Sequence, residues 1–239
     1  MSKIKIIKLK QTPEGFGDVV DDLEQDMFES ALPTQHTHRY YEDKALGLYV
    51  GVWDSTEMIE TAVPRVYDEF MTIIEGVAEI KNNRTGLVKT INTGESFVIP
   101  KGYDCQWLQN GYLRKFHLLY EPPAETISEF SVYEHIISID EKSILPWQKT
   151  SDGHKKKLQY QSRNQKFTSG VWQGEDFNTG IIAFPYNEFI SLKHGCLICT
   201  DDQGTEHKIN TGEALFVPQG ARCSWQALGK ISIHFVQIK

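Results

Sequence analysis

Short runs of β-branched and aliphatic residues punctuate this chain. Phe70-Met71-Thr72-Ile73-Ile74, Val77-Ala78-Glu79-Ile80 and Ser96-Phe97-Val98-Ile99 are separated by Gly, Asn and Thr clusters, and Ala214-Leu215-Phe216-Val217 stops at Pro218-Gln219-Gly220. Runs of this length bounded by turn residues predict strands. Many short strands spaced by turns predict an all-β sandwich or barrel. One stretch has a different period. Between residues 16 and 32, Val19, Val20, Leu23 and Met27, and less regularly Phe28 and Leu32, recur at helical spacing, which predicts a short N-terminal helix.

The pattern then repeats. Gly51-Val52-Trp53 recurs as Gly170-Val171-Trp172, and Tyr67-Asp68-Glu69-Phe70 as Tyr186-Asn187-Glu188-Phe189, both at an offset of 119. Ile91-Asn92-Thr93-Gly94-Glu95 recurs as Ile209-Asn210-Thr211-Gly212-Glu213 at 118, so one residue is lost in the turn between. The offset of 118 then holds for Pro100 and Pro218, Gly102 and Gly220, Cys105 and Cys223, and Trp107 and Trp225. The reading is two copies of one domain, 1–121 with the helical extension and 122–239, joined near Glu121-Pro122-Pro123, where two prolines cannot continue a strand ladder.

Composition narrows the function classes. A net charge of −7 over 239 residues argues against a nucleic-acid partner, which calls for a basic surface. The basic run His154-Lys155-Lys156-Lys157 is short and reads as a solvated loop. No apolar run approaches the roughly 18 residues of a membrane span. Met1-Ser2-Lys3-Ile4-Lys5 lacks the apolar core of a signal peptide, so a cytoplasmic location is expected, with four cysteines as free thiols.

The repeated motifs resemble those of the cupins. Glu69 stands seven residues before Gly76, as in the first cupin motif, and Glu188 and Gly195 repeat the spacing. Gly94…Pro100-Lys101-Gly102 and Gly212…Pro218-Gln219-Gly220 match the second motif. The wording Pro-x-Gly-x-x-Cys-x-Trp, from Pro100 to Trp107 and Pro218 to Trp225, is similar to the branch that includes the cupin domain of (S)-ureidoglycine aminohydrolase and the ethanolamine-utilisation cupins. The resemblance implies two tandem double-stranded β-helix, or jelly-roll, barrels. The chain departs from the family at the metal ligands, so no metal is expected: the family's two first-motif His places fall at or near Val63 and Arg65, then Ile182 and Phe184. The later His place holds Cys105 and Cys223. Ureidoglycine aminohydrolase is a manganese enzyme whose site uses His, so its activity does not carry over. Neither a metal nor another cofactor is expected.

Alternate residues of a strand share a face. If Glu69 faces the barrel interior, as its cupin position implies, so do Arg65, Tyr67, Met71 and Ile73. Cys105 and Trp107 share a face, and Lys115 has the parity of Cys105 if the intervening turn preserves register. The first barrel thus offers Glu69 and Cys105 as catalytic candidates, and Arg65, Tyr67, Trp107 and Lys115 as ligand-binding ones. The second offers Tyr186, Glu188, Cys223 and Trp225 without the cation, because Phe184 replaces Arg65. Glu69 and Arg65 lie about 13 Å apart along one strand at ~3.3 Å per residue, too far to pair there. Arg65 therefore takes another partner, reaches the rim, or awaits an anion.

Plainer readings stand beside these. The carboxylates can be structural, and Cys105 and Cys223 small apolar filler, unless Arg65 lowers the Cys105 pKa. Cys196-Leu197-Ile198-Cys199 has no second cysteine pair to complete a zinc site. His36-Thr37-His38 reads as a loop, and Trp53 and Trp172 as barrel wall. His117 and His234 lie twelve and eleven residues after their cysteines, so without a bulge they face opposite sides. Two functions fit. One is a module that holds a small polar or anionic metabolite in the first barrel. The other is a metal-independent hydrolase or isomerase on a nitrogenous metabolite or sugar derivative, with Glu69 as acid or base. The local state of Glu69 discriminates: unpaired with raised pKa for catalysis, tied to a cation for structure or binding. Partners are a small-molecule ligand, with no nucleic acid and no membrane, and a homodimer if barrels pack between chains.

Overall fold

The computed structural model of the protein describes residues 4–123 and 135–239. These residues form two compact units, one comprising Gln11–Ser138 and the other Ile139–Lys239 with the N-terminal stretch through Lys10. The first ten residues therefore belong with the C-terminal unit, a division different from that drawn at the prolines. Their strand Ile7–Leu9 pairs with Ala214–Phe216, and Ile6 is buried in the same core as Leu215 and Val217.

The N-terminal unit carries two sheets. The six-stranded one runs Ile137–Ile139, Ser96–Ile99, Asp68–Glu75, Leu113–Tyr120, Leu48–Ser55, Gln35–Asp43. The other runs Met58–Ile59, Asp104–Gln109, Val77–Asn82, Val88–Asn92, with Val63–Pro64 also on Asp104–Gln109. In the C-terminal unit the strands form one ten-stranded sheet. There Arg222–Ile238 is continuous, pairing with Asn187–His194 and Phe167–Asn178 at one end and with Cys196–Asp201 and Ile182–Ala183 at the other. The hairpin after Cys196–Asp201 reaches Glu206 one residue sooner than that from Val77–Asn82 to Val88.

Strand alternation builds each core. Met71, Ile73, Phe97, Ile99 and Trp107 cluster in the N-terminal unit, and Ile190, Leu192, Leu215, Val217 and Phe235 in the C-terminal one. Gly76 and Gly195 are the single residues linking the Glu-bearing strand to the next strand, at φ of 86° and 89°, a region that favours glycine. A Cβ there would lie 2.3 Å from the Tyr112 carbonyl oxygen and 2.5 Å from that of Lys230, so the close approach of backbone also demands Gly.

The N-terminal helix is not formed. Among the described residues the only helical element is a single 3-10 turn, Gln25–Met27. Of the helical stripe only Leu23 and Phe28 reach the core, while Val19, Val20, Met27 and Leu32 are all about half exposed or more. The backbone finds partners across the sheet instead: Asp21 N–H donates to the Gln35 carbonyl, Glu29 to Ile59, and Thr61 to Met27. Tertiary pairing overrides a weak local period. No helix among the described residues is long and apolar enough to cross a membrane.

Candidate functional site

In the N-terminal unit the ladder sets Leu119, His117 and Lys115 opposite Glu69, Met71 and Ile73. Opposed residues share a face, so Lys115 and His117 look the same way as Glu69. The Lys115 ammonium donates to Glu69 Oε1 at 3.0 Å and lies 3.1 Å from Met71 Sδ. It also sits over the rings of Trp53 and Trp107, 4.7 and 4.6 Å from their centroids. Burial alone would push the Glu69 carboxyl up, but Lys115, then His117 and Arg65, outweigh it and hold the group below its usual range. Glu69 is tied to a cation. His117 is kept neutral by burial, which lowers its pKa to about 4, and its buried Nδ1 has no hydrogen-bond partner.

Arg65 takes the first of its three options. Its Nη2 meets Glu60 Oε2 at 2.5 Å, leaving the buried Nε without a partner. Burial raises the Tyr67 hydroxyl, with the Glu69 charge adding to the effect. Burial also raises the Cys105 thiol, and Arg65 only partly offsets this, so Cys105 is not an activated thiolate. Trp107 is buried and its Nε1 donates to Gln109 Oε1 at 3.1 Å. All six residues singled out in the first copy are thus near one another, but their charges are already answered.

The C-terminal unit differs. A cavity of about 280 Å³ opens among Phe184, Tyr186, Glu188, Ile190, Trp172 and Trp225, with Lys156, His154, Phe235 and Gln237 completing its polar and aromatic wall. Phe184, Tyr186, Glu188 and Ile190 all line it, although Phe184 and Tyr186 lie in the bend before the strand Asn187–His194 rather than on it. Glu188 lies opposite Gln237 in the ladder. Gln237 Nε2 donates to Glu188 Oε1 at 3.1 Å and to the Tyr186 hydroxyl oxygen at 3.0 Å. Lys156 Nζ donates to Gln237 Oε1 at 3.0 Å and lies 4.3 Å from the Phe235 ring centroid. Burial raises the Glu188 carboxyl to about 7, against the smaller opposing effects of Gln237 and Lys156. Burial likewise lowers Lys156 and raises Tyr186, the latter to about 12.

Four sequence expectations change here. The basic run is no solvated loop: Lys155–Gln161 is a strand, and Lys157 is buried, donating to the carbonyls of Glu141 and Ser143. Lys156 supplies the cation that the second copy was read as lacking. His154 and Lys156 both line the cavity, a period-two signal already visible in the run. Trp172 lines the cavity rather than serving only as wall, whereas His36 lies in the strand Gln35–Asp43 with its Nδ1 2.7 Å from Asp54 Oδ1. Gln237 was missed because its counterpart by offset is Leu119. The ladder also pairs His117 with Met71 but His234 with Ser191, placing the two imidazoles on opposite faces. Cys223 is fully buried, and a hydrogen bond from the Cys199 thiol lowers its own pKa while raising that of Cys199.

The positions at which a cupin metal would be held do not suit one. Val63 and Ile182 are exposed, Arg65 is bound to Glu60, and the Lys115 ammonium is seated on Glu69. Among the described residues no three His, Cys, Asp or Glu side chains are grouped to hold a metal ion. No step is routed through one.

No family model matches the chain, and no curated protein matches it. Solved structures do. A protein of unknown function of the DUF861 family from Pseudomonas syringae superposes with a TM-score of 0.75 at 18% identity, over 98% of this chain and 100% of that one. A cupin 2 conserved barrel domain protein from Leptotrichia buccalis gives 0.61 at 13%, over 88% and 91%. The fold is that of the cupins. YlbA from E. coli, of DUF861, also shares the cupin fold of this chain, with a TM-score of 0.61 at 10% identity over 99% and 91%. These likenesses carry the fold, and the chemistry rests on the residues above.

Proposed function

We propose that the chain is a two-barrel cupin that binds a small molecule in the cavity of its C-terminal unit, while the interior of its N-terminal unit is structural. The carrying observation is Glu188, raised to about 7 on the wall of a 280 Å³ cavity and hydrogen-bonded only by the neutral amide of Gln237. A concave, largely aromatic space with a few convergent polar groups is the usual form of a metabolite site. Glu69, at the matching position of the repeat, is neutralised by Lys115 instead. The anion expected at Arg65 loses its electrostatic reason, because Glu60 already meets the guanidinium.

A metabolite library screened by thermal shift and by quenching of tryptophan fluorescence tests the reading. Hits should vanish in Trp225→Ala and survive in Arg65→Ala. Hits with the reverse pattern would move the site to the N-terminal unit. A second reading rests on the same carboxyl. A group titrating near neutral pH is suited to proton transfer, so Glu188, in place of Glu69, would be the acid or base of a metal-independent enzyme. Solvent deuterium incorporated into a bound hit, and lost in Glu188→Gln, would favour it.

A further inference from the structure

The polar end of the C-terminal cavity has a fixed sense of hydrogen bonding. An ammonium can only donate. Lys156 therefore claims Gln237 Oε1, and this sets the direction of the whole amide. The amide nitrogen then faces Glu188 Oε1 and the Tyr186 hydroxyl oxygen, and donates to both. Since the Tyr186 oxygen is an acceptor in this arrangement, its own O–H hydrogen is left for something else. Lys156 has three N–H donors, of which Gln237 takes one while the Phe235 ring faces the ammonium. Two unspent donors, one of them cationic, thus stand beside a carboxyl.

The remaining wall sorts the candidates for the space. Trp172, Phe184, Trp225 and Phe235 offer ring faces, and Ile182, Ile190 and Ile233 offer aliphatic ones. The groups that face Glu188 are few on every packed element. Val217 lies directly opposite it, Cys223 and Gln237 come from the long strand, Lys156 from the strand beyond, and Tyr186 from the residues just before it. His154 and Asp152 lie farther along the cavity wall, with their facing nitrogen and oxygen 3.9 Å apart. A ligand cation would meet the Lys156 ammonium. A neutral ligand would leave that ammonium unanswered in an apolar enclosure, which is costly. At the Glu188 end, away from the Asp152 carboxylate beside His154, a ligand anion would be met by Lys156 and by the Tyr186 hydroxyl, and its electrostatic conflict there would be with an ionised Glu188. That conflict disappears if Glu188 is protonated, and the carboxyl then becomes a third donor.

Resting on the reading of the cavity as a ligand site, we infer that it takes a small carboxylic acid with an aromatic or branched aliphatic body, bound as its carboxylate together with one proton taken up by Glu188. The charge balance is simple. A ligand carboxylate, an ionised Glu188 and a proton from solvent give a complex in which Glu188 is neutral and the ligand charge is paired with Lys156. The proton costs little near neutral pH, since burial already holds the group at about 7. It becomes progressively harder to supply above that.

Isothermal titration of the full chain with benzoate, benzamide and benzylamine separates the outcomes. The three share a ring and differ in charge, and benzoate, with an ordinary carboxyl pKa of about 4, is ionised throughout the range used. Benzoate should bind, about tenfold more weakly near pH 8 than near pH 6 because one proton is linked to binding. Titrations at the higher pH in buffers of different ionisation heat should show uptake of about one proton per site. Glu188→Gln, whose amide donates at every pH, should bind benzoate equally at the two pH values. Lys156→Met should lose benzoate. Benzylamine or benzamide binding more tightly than benzoate would overturn the carboxylate assignment and leave the cavity reading standing. Benzoate affinity equal at both pH values would overturn the proton linkage. If none of the three binds, the ligand class proposed here is wrong. The cavity reading itself falls only if the metabolite hits also ignore Trp225→Ala.

Discussion

Glu69 and Glu188 occupy matching places in the repeat, and their surroundings make them opposite kinds of carboxyl. Each lies on the strand paired with the closing strand of its unit, opposite Leu119 in one and Gln237 in the other. Two residues further along the ladder Met71 faces His117 and Ile190 faces Phe235; two further still, Ile73 faces Lys115 and Leu192 faces Ile233. The N-terminal unit thus places an ammonium and an imidazole where the C-terminal unit has two apolar side chains. The ammonium fills the space between Trp53 and Trp107 and holds Glu69 ionised. Without it, the C-terminal unit keeps a cavity, and Glu188 rises to about 7. The nearest cation there, Lys156, is directed to Gln237 and acts on Glu188 only weakly. At one shared motif spacing, the buried Lys115 goes with an ion-paired carboxyl and its replacement by an apolar residue with a carboxyl raised beside a hollow.

The strongest way to break this comparison is to remove that lysine. Lys115→Met should destabilise the protein by about 3–5 kcal/mol at neutral pH, the usual cost of leaving a buried charge unanswered. Lys115→Met with Glu69→Gln should recover most of the loss. Chemical denaturation measures both, and a single variant as stable as wild type would show the pair to be inert. Next in size is Glu188→Gln. A carboxyl raised in the folded state stabilises fully below its unfolded pKa, and that contribution is lost as pH rises from about 4.5 through about 7. The variant should therefore match wild type near pH 4 and exceed its stability by on the order of 3 kcal/mol near pH 8. Glu69 has the opposite sign: its lowered pKa contributes stability above the unfolded value that is lost as pH falls. Glu69→Gln should blunt the acid limb of the profile, and an unchanged limb would contradict the ion pair.

Smaller effects sharpen the contrast. Arg65→Met breaks a pair whose Glu60 partner is partly exposed, so it should cost about 1 kcal/mol and leave ligand hits unchanged. Loss of those hits would return the N-terminal unit to consideration. Gln237→Leu copies the N-terminal residue into the C-terminal unit. It removes the hydrogen bond that favours the ionised carboxyl, so the Glu188 midpoint should rise further, by about one pH unit or less. A carboxyl-selective NMR titration reads that shift, and a fall would mean that Lys156, released from Gln237, has turned to Glu188.

The strands and the faces they present were legible because a strand's side-chain period is local. Glu69, Met71 and Ile73, or Glu188, Ile190 and Leu192, could be assigned to one side by counting, whereas Arg65, Tyr67, Phe184 and Tyr186 lie in the bends before those strands. The shared motif spacing, the shortened hairpin and the two glycines that follow the Glu-bearing strands were readable in the same way. The cation of the C-terminal unit was also present as a period-two signal in His154-Lys155-Lys156, but four basic residues in a row look like a solvated loop until the strand pairs. The helix over 16–32 failed for the complementary reason: its apolar spacing was real, yet what those side chains would meet is not written in the segment. Charge states depend on the same non-local information. Whether Glu69 meets Lys115 and whether Gln237 turns its nitrogen toward Glu188 depend on atoms brought within about 3 Å from strands distant in sequence. A pKa sums desolvation and every charge around it, so two residues with the same local spacing acquired opposite shifts only when the tertiary structure chose their neighbours.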